Sequence, residues 1–121
     1  MKTLIILAHG SRREESNQEI VELTNKVKTL TSSEFEQVEY AYLEVVSPSL
    51  PEAIDSCINN GATHITVFPY FLNSGNHVKR DIPEMVNTAK ENYPQCSFKT
   101  SECIGMIEKM PNYILELATK T

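Results

Sequence analysis

Apolar positions along this chain of 121 residues fall into two alternating rhythms, and the alternation itself predicts the fold. Residues 2–8 are read as a strand on the unbroken apolar run Leu4-Ile5-Ile6-Leu7-Ala8, as expected of a strand covered on both faces. Residues 15–30 then carry Ile20, Leu23, Val27 and Leu30 on one stripe at helical spacing, and Thr31-Ser32-Ser33 breaks the pattern. A second strand is expected over 38–45. Ser47 followed by Pro48 reads as a helix N-cap with proline at the first helical position. The next apolar face is Leu50, Ala53, Ile54, Cys57 and Ile58, ended by Asn59-Asn60-Gly61.

The second half repeats the alternation. A third strand covers 63–68, and a third helix begins between residues 79 and 82. That helix turns Ile82, Met85, Val86 and Ala89 inward and stops at Tyr93-Pro94. Residues 97–102 alternate polar and apolar side chains, which suits an edge strand. A last helix over 107–119 carries Ile107, Met110, Ile114 and Leu117. Four strand–helix pairs predict an α/β domain: a four-stranded parallel sheet with right-handed crossovers and helices on both faces. Neither a repeat nor a linker divides the chain, so residues 1–121 are read as a single domain.

This order of elements gives three polar residues a shared address. Ligands of open parallel sheets bind beyond the carboxyl ends of the strands, near the point where strand order reverses. His9 follows the first strand, Glu44 ends the second, and His77 lies in the loop after the third. All three are expected on one rim. Two imidazoles and a carboxylate, without cysteine, would hold a divalent metal in an open, exchangeable site rather than in a closed structural one. Taken singly, each histidine is equally well read as a hydrogen-bonded loop residue, and Glu44 as a solvated carboxylate. His64 opens the third strand at the opposite edge and is assigned no role.

Neighbouring residues extend this reading. Arg12 and Arg13 follow His9, and Lys79 and Arg80 follow His77, an excess of basic charge that would attract an anionic ligand. Solvated helix starts would look the same. Tyr42, Tyr70 and Phe71 are candidate flat walls beside the ligands, with Phe71 equally a core residue. Asp81 stands four residues after His77, where it either orients that imidazole or favours the helix start.

Composition mostly excludes. Eleven basic and sixteen acidic side chains give a formal charge of −5, against general nucleic-acid binding. No apolar run approaches the roughly 20 residues of a membrane span, and the N-terminal run leads into charge rather than a cleavage site, so a cytoplasmic protein is expected. Cys57, Cys96 and Cys103 have neither disulfide nor zinc-site spacing. There is no phosphate loop, no G-x-G-x-x-G, no H-E-x-x-H and no G-x-S-x-G elbow.

Three separated motifs carry a resemblance. Ile5-Ile6-Leu7-Ala8-His9-Gly10-Ser11-Arg12, then Ala41-Tyr42-Leu43-Glu44 with Pro48-Ser49-Leu50, then Phe68-Pro69-Tyr70-Phe71-Leu72 with Gly75, His77 and Asp81-Ile82-Pro83 resemble the sirohydrochlorin chelatases, ATP-independent class II tetrapyrrole chelatases. The chain looks like the small, single-domain form, a flavodoxin-like half of the longer relatives. The resemblance implies insertion of a divalent metal into sirohydrochlorin for cobalamin or sirohaem synthesis, with cobalt placed first and iron or nickel next. It implies His9 and His77 as metal-binding and catalytic residues and Glu44 as an active-site acid. Ser11, Arg12, Tyr42, Tyr70 and Gly75 are the implied substrate contacts. It also implies a homodimer enclosing the macrocycle, with the metal as substrate and no permanent cofactor. Two other functions fit the same residues: a metal or tetrapyrrole carrier without turnover, and a hydrolase using the histidine pair to activate water.

Overall fold

The computed structural model describes residues 1–30, 34–73, 75 and 77–121, and the side chains of His77 and Val78 lie outside the described set. The break expected at Thr31-Ser32-Ser33 falls outside it, as do Ser74 and Asn76 of the third loop. Among the described residues, four parallel strands and four helices alternate as the periodicity predicts: β1 (Lys2–Ala8), α1 (Glu14–Leu30), β2 (Gln37–Tyr42), α2 (Leu50–Asn59), β3 (His64–Pro69), α3 (Ile82–Asn92), β4 (Ser97–Thr100) and α4 (Met110–Thr119). The sheet order is β2-β1-β3-β4. β1 therefore pairs with both β2 and β3, Ile6 standing opposite Tyr40 on one side and Phe68 on the other.

Alternation along β1 divides the core. Ile5 and Leu7 are fully buried on the face that packs Leu50 and Ile54 of α2 and Ile82 and Val86 of α3. Burying each such side chain stabilises the fold by about 1.5–3 kcal/mol. The intervening residues face α1, where Ala8, Ile20 and Tyr42 form a smaller cluster. Helices thus occupy both faces, but unequally.

Several boundaries differ from the expectations. The N-cap of α2 is Ser49, not Ser47. Ser49 Oγ accepts the Glu52 N–H at 3.2 Å and Glu52 Oε1 accepts the Ser49 N–H at 2.8 Å. This reciprocal pair satisfies two helix-end donors, which a cap at Ser47 would leave open. Pro48, joined to Ser47 by a cis peptide bond, precedes the helix, and its carbonyl accepts the Tyr42 N–H at 2.8 Å. Leu30, expected on the inner stripe of α1, is 83% exposed because the helix outruns the sheet. β2 ends at Tyr42 and β4 at Thr100, both earlier than predicted. Between β3 and α3, residues His77–Asp81 make a π-helical turn; a 3-10 turn, Ile104–Met106, precedes α4.

Candidate metal-handling site at the carboxyl rim

Strand order reverses between β1 and β3, and His9 follows β1 at that point. Its ring is exposed and stands edge-on to Phe71, with centroids 4.8 Å apart and planes at 84°. Phe71 is itself buried in the core. One imidazole is thereby seated on a fixed aromatic wall and presented at the rim.

The adjoining loop is held by its backbone. Leu43 N–H donates to Ala8 O at 2.8 Å and Glu44 N–H to His9 O at 3.0 Å, carrying the β1–β2 ladder past the strand ends. Glu44 thus lies beyond β2 rather than ending it, with an exposed side chain. Gly10 has φ +89, and a Cβ there would lie 2.0 Å from Glu44 O. Only glycine combines that backbone conformation with that approach. After Glu44 the chain makes a tight turn in which Val46 N–H donates to Glu44 O at 2.9 Å, around Val45 at φ +77. A β-branched residue there is strained by about 1–3 kcal/mol, a cost that recurs at functional sites.

Asn17, which drew no attention in the sequence, organises the same loop. Its Oδ1 accepts the Ser11 N–H at 2.9 Å, its Nδ2 donates to Ser11 O at 2.7 Å, and its backbone carbonyl accepts the Tyr42 hydroxyl at 2.7 Å. The only hint in sequence was its place in the first turns of the helix after His9, and any polar residue would have looked equivalent. Ser11 Oγ accepts the Arg13 N–H at 3.0 Å. Tyr42 is buried, and its phenol is pushed above its ordinary range, first by burial and then by Tyr40.

The candidate substrate contacts divide between two places. Ser11, Arg12 and Tyr42 line an open pocket of about 400 Å³ together with Asn17 and Ser47. Tyr70 instead lines an apolar groove with Leu4, Ile6 and Phe68 on the α1 face of the sheet. Gly75 is in open space, where a Cβ would meet nothing within 4 Å. His77 opens the π-helical turn, while its side chain lies outside the described residues. Asp81 closes that turn with its carboxylate 3.8 Å from Arg80 Nε and makes no capping hydrogen bond to α3. Arg13 pairs with Glu15 at 3.3 Å, and Lys79 is exposed. His64 lies at the opposite edge against Thr63. Among the described residues, no three His, Cys, Asp or Glu side chains converge as a ligand set, and no helix is long and apolar enough to cross a membrane.

An open parallel α/β domain with an exposed imidazole at its switch point belongs to the proteins that take ligands at the carboxyl rim. More specifically, the chain belongs to the CbiX family, whose model matches residues 3–121. It is 30% identical to the sirohydrochlorin ferrochelatase of Priestia megaterium, over the whole of this chain and 45% of that protein. It is 37% identical to the sirohydrochlorin cobaltochelatase of Methanocaldococcus jannaschii, over 77% of this chain and 64% of that one. The sirohydrochlorin chelatase SirB of Bacillus subtilis, solved in complex with cobalt, matches with a TM-score of 0.86 at 28% identity, covering 98% of this chain and 50% of that one. The chain spans about half the length of several of its curated relatives. These likenesses bear out the α/β fold read from periodicity and the family read from the three motifs.

Proposed function

We propose that this protein inserts a divalent metal into sirohydrochlorin without ATP, at the rim carrying His9, Glu44 and His77. The observation that carries the proposal is the exposed His9 ring, seated against Phe71 at the β1–β3 switch point. Insertion replaces two pyrrole N–H protons by one M²⁺, so the site must deliver a metal and accept two protons. His9 and His77 bind the incoming metal as neutral imidazoles. Imidazole nitrogens and the Glu44 carboxylate are the acceptors for the departing protons. Holding metal and macrocycle together supplies proximity.

Sirohydrochlorin bears eight carboxylate arms. Arg12 and Ser11, beside the open pocket that Tyr42 walls, are suited to receive one. Tyr70, which lines the apolar groove but remains 40% exposed, offers the macrocycle only its outward edge, and the open position of Gly75 leaves room for close approach. A domain with one such rim encloses a flat macrocycle by pairing with a second, so the working unit is a homodimer. Cobalt is placed first among the metals and iron or nickel next, with cobalamin or sirohaem synthesis as the corresponding route. The 37% identical relative is named a cobaltochelatase and the 30% identical one a ferrochelatase.

The test follows visible absorption of sirohydrochlorin with Co²⁺, Fe²⁺ or Ni²⁺ against a protein-free control. Accelerated insertion, abolished by His9→Ala and by His77→Ala with the fold retained, is the expected result. Macrocycle binding with no acceleration for any metal would overturn turnover in favour of a carrier.

A further inference from the structure

The loop after β2 is anchored on both sides of Glu44. Leu43 packs against the core beneath α2 and α3, and Val46 packs against the cluster of Ala8, Ile20 and Tyr42 on the α1 face. Anchors so placed leave Glu44 and Val45 outside, at the rim. Val45 is 60% exposed and joins neither cluster.

Its backbone makes that position costly. Val45 has φ +77, and the Val46 N–H closes the turn on Glu44 O at 2.9 Å. This is the strained hand of the three-residue turn, which glycine enters freely and a β-branched residue does not. Burial within the domain does not offset the cost, because the side chain stands largely in solvent. A side chain kept outward against backbone strain is suited to something the domain meets rather than to the domain itself.

A second exposed aliphatic stands on the other side of His9. Phe71 turns inward against the His9 ring, and the next residue, Leu72, is 69% exposed. Its main chain is braced. The Gly105 N–H donates to Phe71 O at 3.0 Å, the Cys103 thiol donates to the same carbonyl, and a Cβ on Gly105 would collide with the Leu72 backbone.

Single exposed apolar side chains are ordinary on a protein surface. Placement sets this pair apart. The order β2-β1-β3 puts Val45, His9 and Leu72 in a row along the carboxyl rim. Neighbouring strands lie about 4.8 Å apart, so Val45 and Leu72 are separated by on the order of 10 Å with His9 between them. That span is comparable to the breadth of a tetrapyrrole ring. Both flanks are tied to His9, one by the Glu44 N–H on His9 O and the other by the ring contact with Phe71. A carboxylated tetrapyrrole is a disc with apolar faces and charged arms at its edge. The aliphatic pair fits the face as Arg12 fits an arm.

We propose that Val45 and Leu72 are specificity-determining contacts that seat the apolar face of the macrocycle on either side of His9. This rests on the tetrapyrrole reading above and deepens it. Arg12 attracts an arm to the rim, while the aliphatic pair selects a flat apolar face and centres it over the imidazole. The strain at Val45 serves binding, not folding.

The test titrates metal-free sirohydrochlorin, by its fluorescence, into wild type, Val45→Thr, Val45→Gly and Leu72→Ser. Urea midpoints and Co²⁺ affinity are measured on the same samples. Val45→Thr keeps the branch and the backbone cost but exchanges a methyl for a hydroxyl, so macrocycle binding should weaken about 5-fold at an unchanged midpoint. Val45→Gly should raise the midpoint by relieving the turn, yet weaken binding about 10-fold. Leu72→Ser should weaken binding about 10-fold, with KM raised and kcat retained. Co²⁺ affinity should be unchanged throughout, since neither side chain carries a ligand atom. Macrocycle affinity within twofold of wild type in either Val45→Thr or Leu72→Ser would overturn the pair. A lowered midpoint in Val45→Gly would assign Val45 to the fold and overturn it as well. Reading binding without metal separates this proposal from turnover. A wild type that binds the macrocycle through the pair but inserts no metal would refute the chelatase and keep the seat. Accelerated insertion with unchanged KM in the variants would refute the seat and keep the chelatase.

Discussion

Gly10 and Glu44 meet through their backbones: a Cβ on Gly10 would lie 2.0 Å from the Glu44 carbonyl oxygen, while the Glu44 N–H holds His9 O at 3.0 Å. The residues proposed as metal ligand and acid are therefore positioned by one contact that tolerates no side chain. Gly10→Ala meets both that collision and φ +89. It should cost more than about 2 kcal/mol in urea unfolding and lower insertion even where the folded fraction is restored. Wild-type stability and rate in this variant would show that the contact is dispensable.

Asn17 clamps the loop between His9 and α1 through both ends of its amide. Asn17→Ala removes two partly buried hydrogen bonds and should destabilise by about 1–3 kcal/mol. Asn17→Asp keeps the acceptor for the Ser11 N–H but loses the donor to Ser11 O, so it should fall between the two. If Asn17 acts by positioning, the rate loss in Asn17→Asp appears mainly in KM for the macrocycle. A loss in stability alone would assign it to the fold.

Two serines bracket Pro48, and their substitutions separate the expected cap from the observed one. Ser49→Ala removes the capping hydroxyl and should cost about 1 kcal/mol. Ser47→Ala, whose exposed hydroxyl donates to Glu52 at a long 3.3 Å, should be close to neutral. Equal costs in thermal unfolding would contradict the assignment.

Burial pushes the Cys57 thiol from its ordinary value near 9 up to about 11, with Glu39 and Cys96 adding to the effect. A thiol that ionises later when folded contributes stability below pH 9 that is lost as pH rises toward 11, by at most about 1.4 kcal/mol per unit. Urea midpoints between pH 8 and 11 should therefore decline in the wild type and decline less in Cys57→Ala. Parallel curves would show that this thiol is not the cause.

The alternation of elements was legible because its signals are local. The run before His9, the stripe of α1 and the faces of α2 and α3 each fix a burial pattern within one segment. Parallel pairing then followed, since alternating strands and helices of this length have few other arrangements. The rim could be named for the same reason: a residue just past a parallel strand lies at its carboxyl end wherever that strand sits in the sheet. Ends were read less well. Ser47 and Ser49 look alike as caps until the Glu52 carboxylate selects one of them, and Leu30 belonged to the right stripe on a helix that outruns its sheet.

By itself the sequence determined the order of strands and helices, the inward faces and the rim on which His9 would stand, because periodicity and strand direction are properties of contiguous residues. Tertiary structure alone decided that His9 leans on Phe71, that Asn17 clamps Ser11, that Tyr70 turns into an apolar groove, and that α4 finds no seat on its own domain. Each of these depends on which segments meet across the sheet, and no spacing within one segment encodes that meeting.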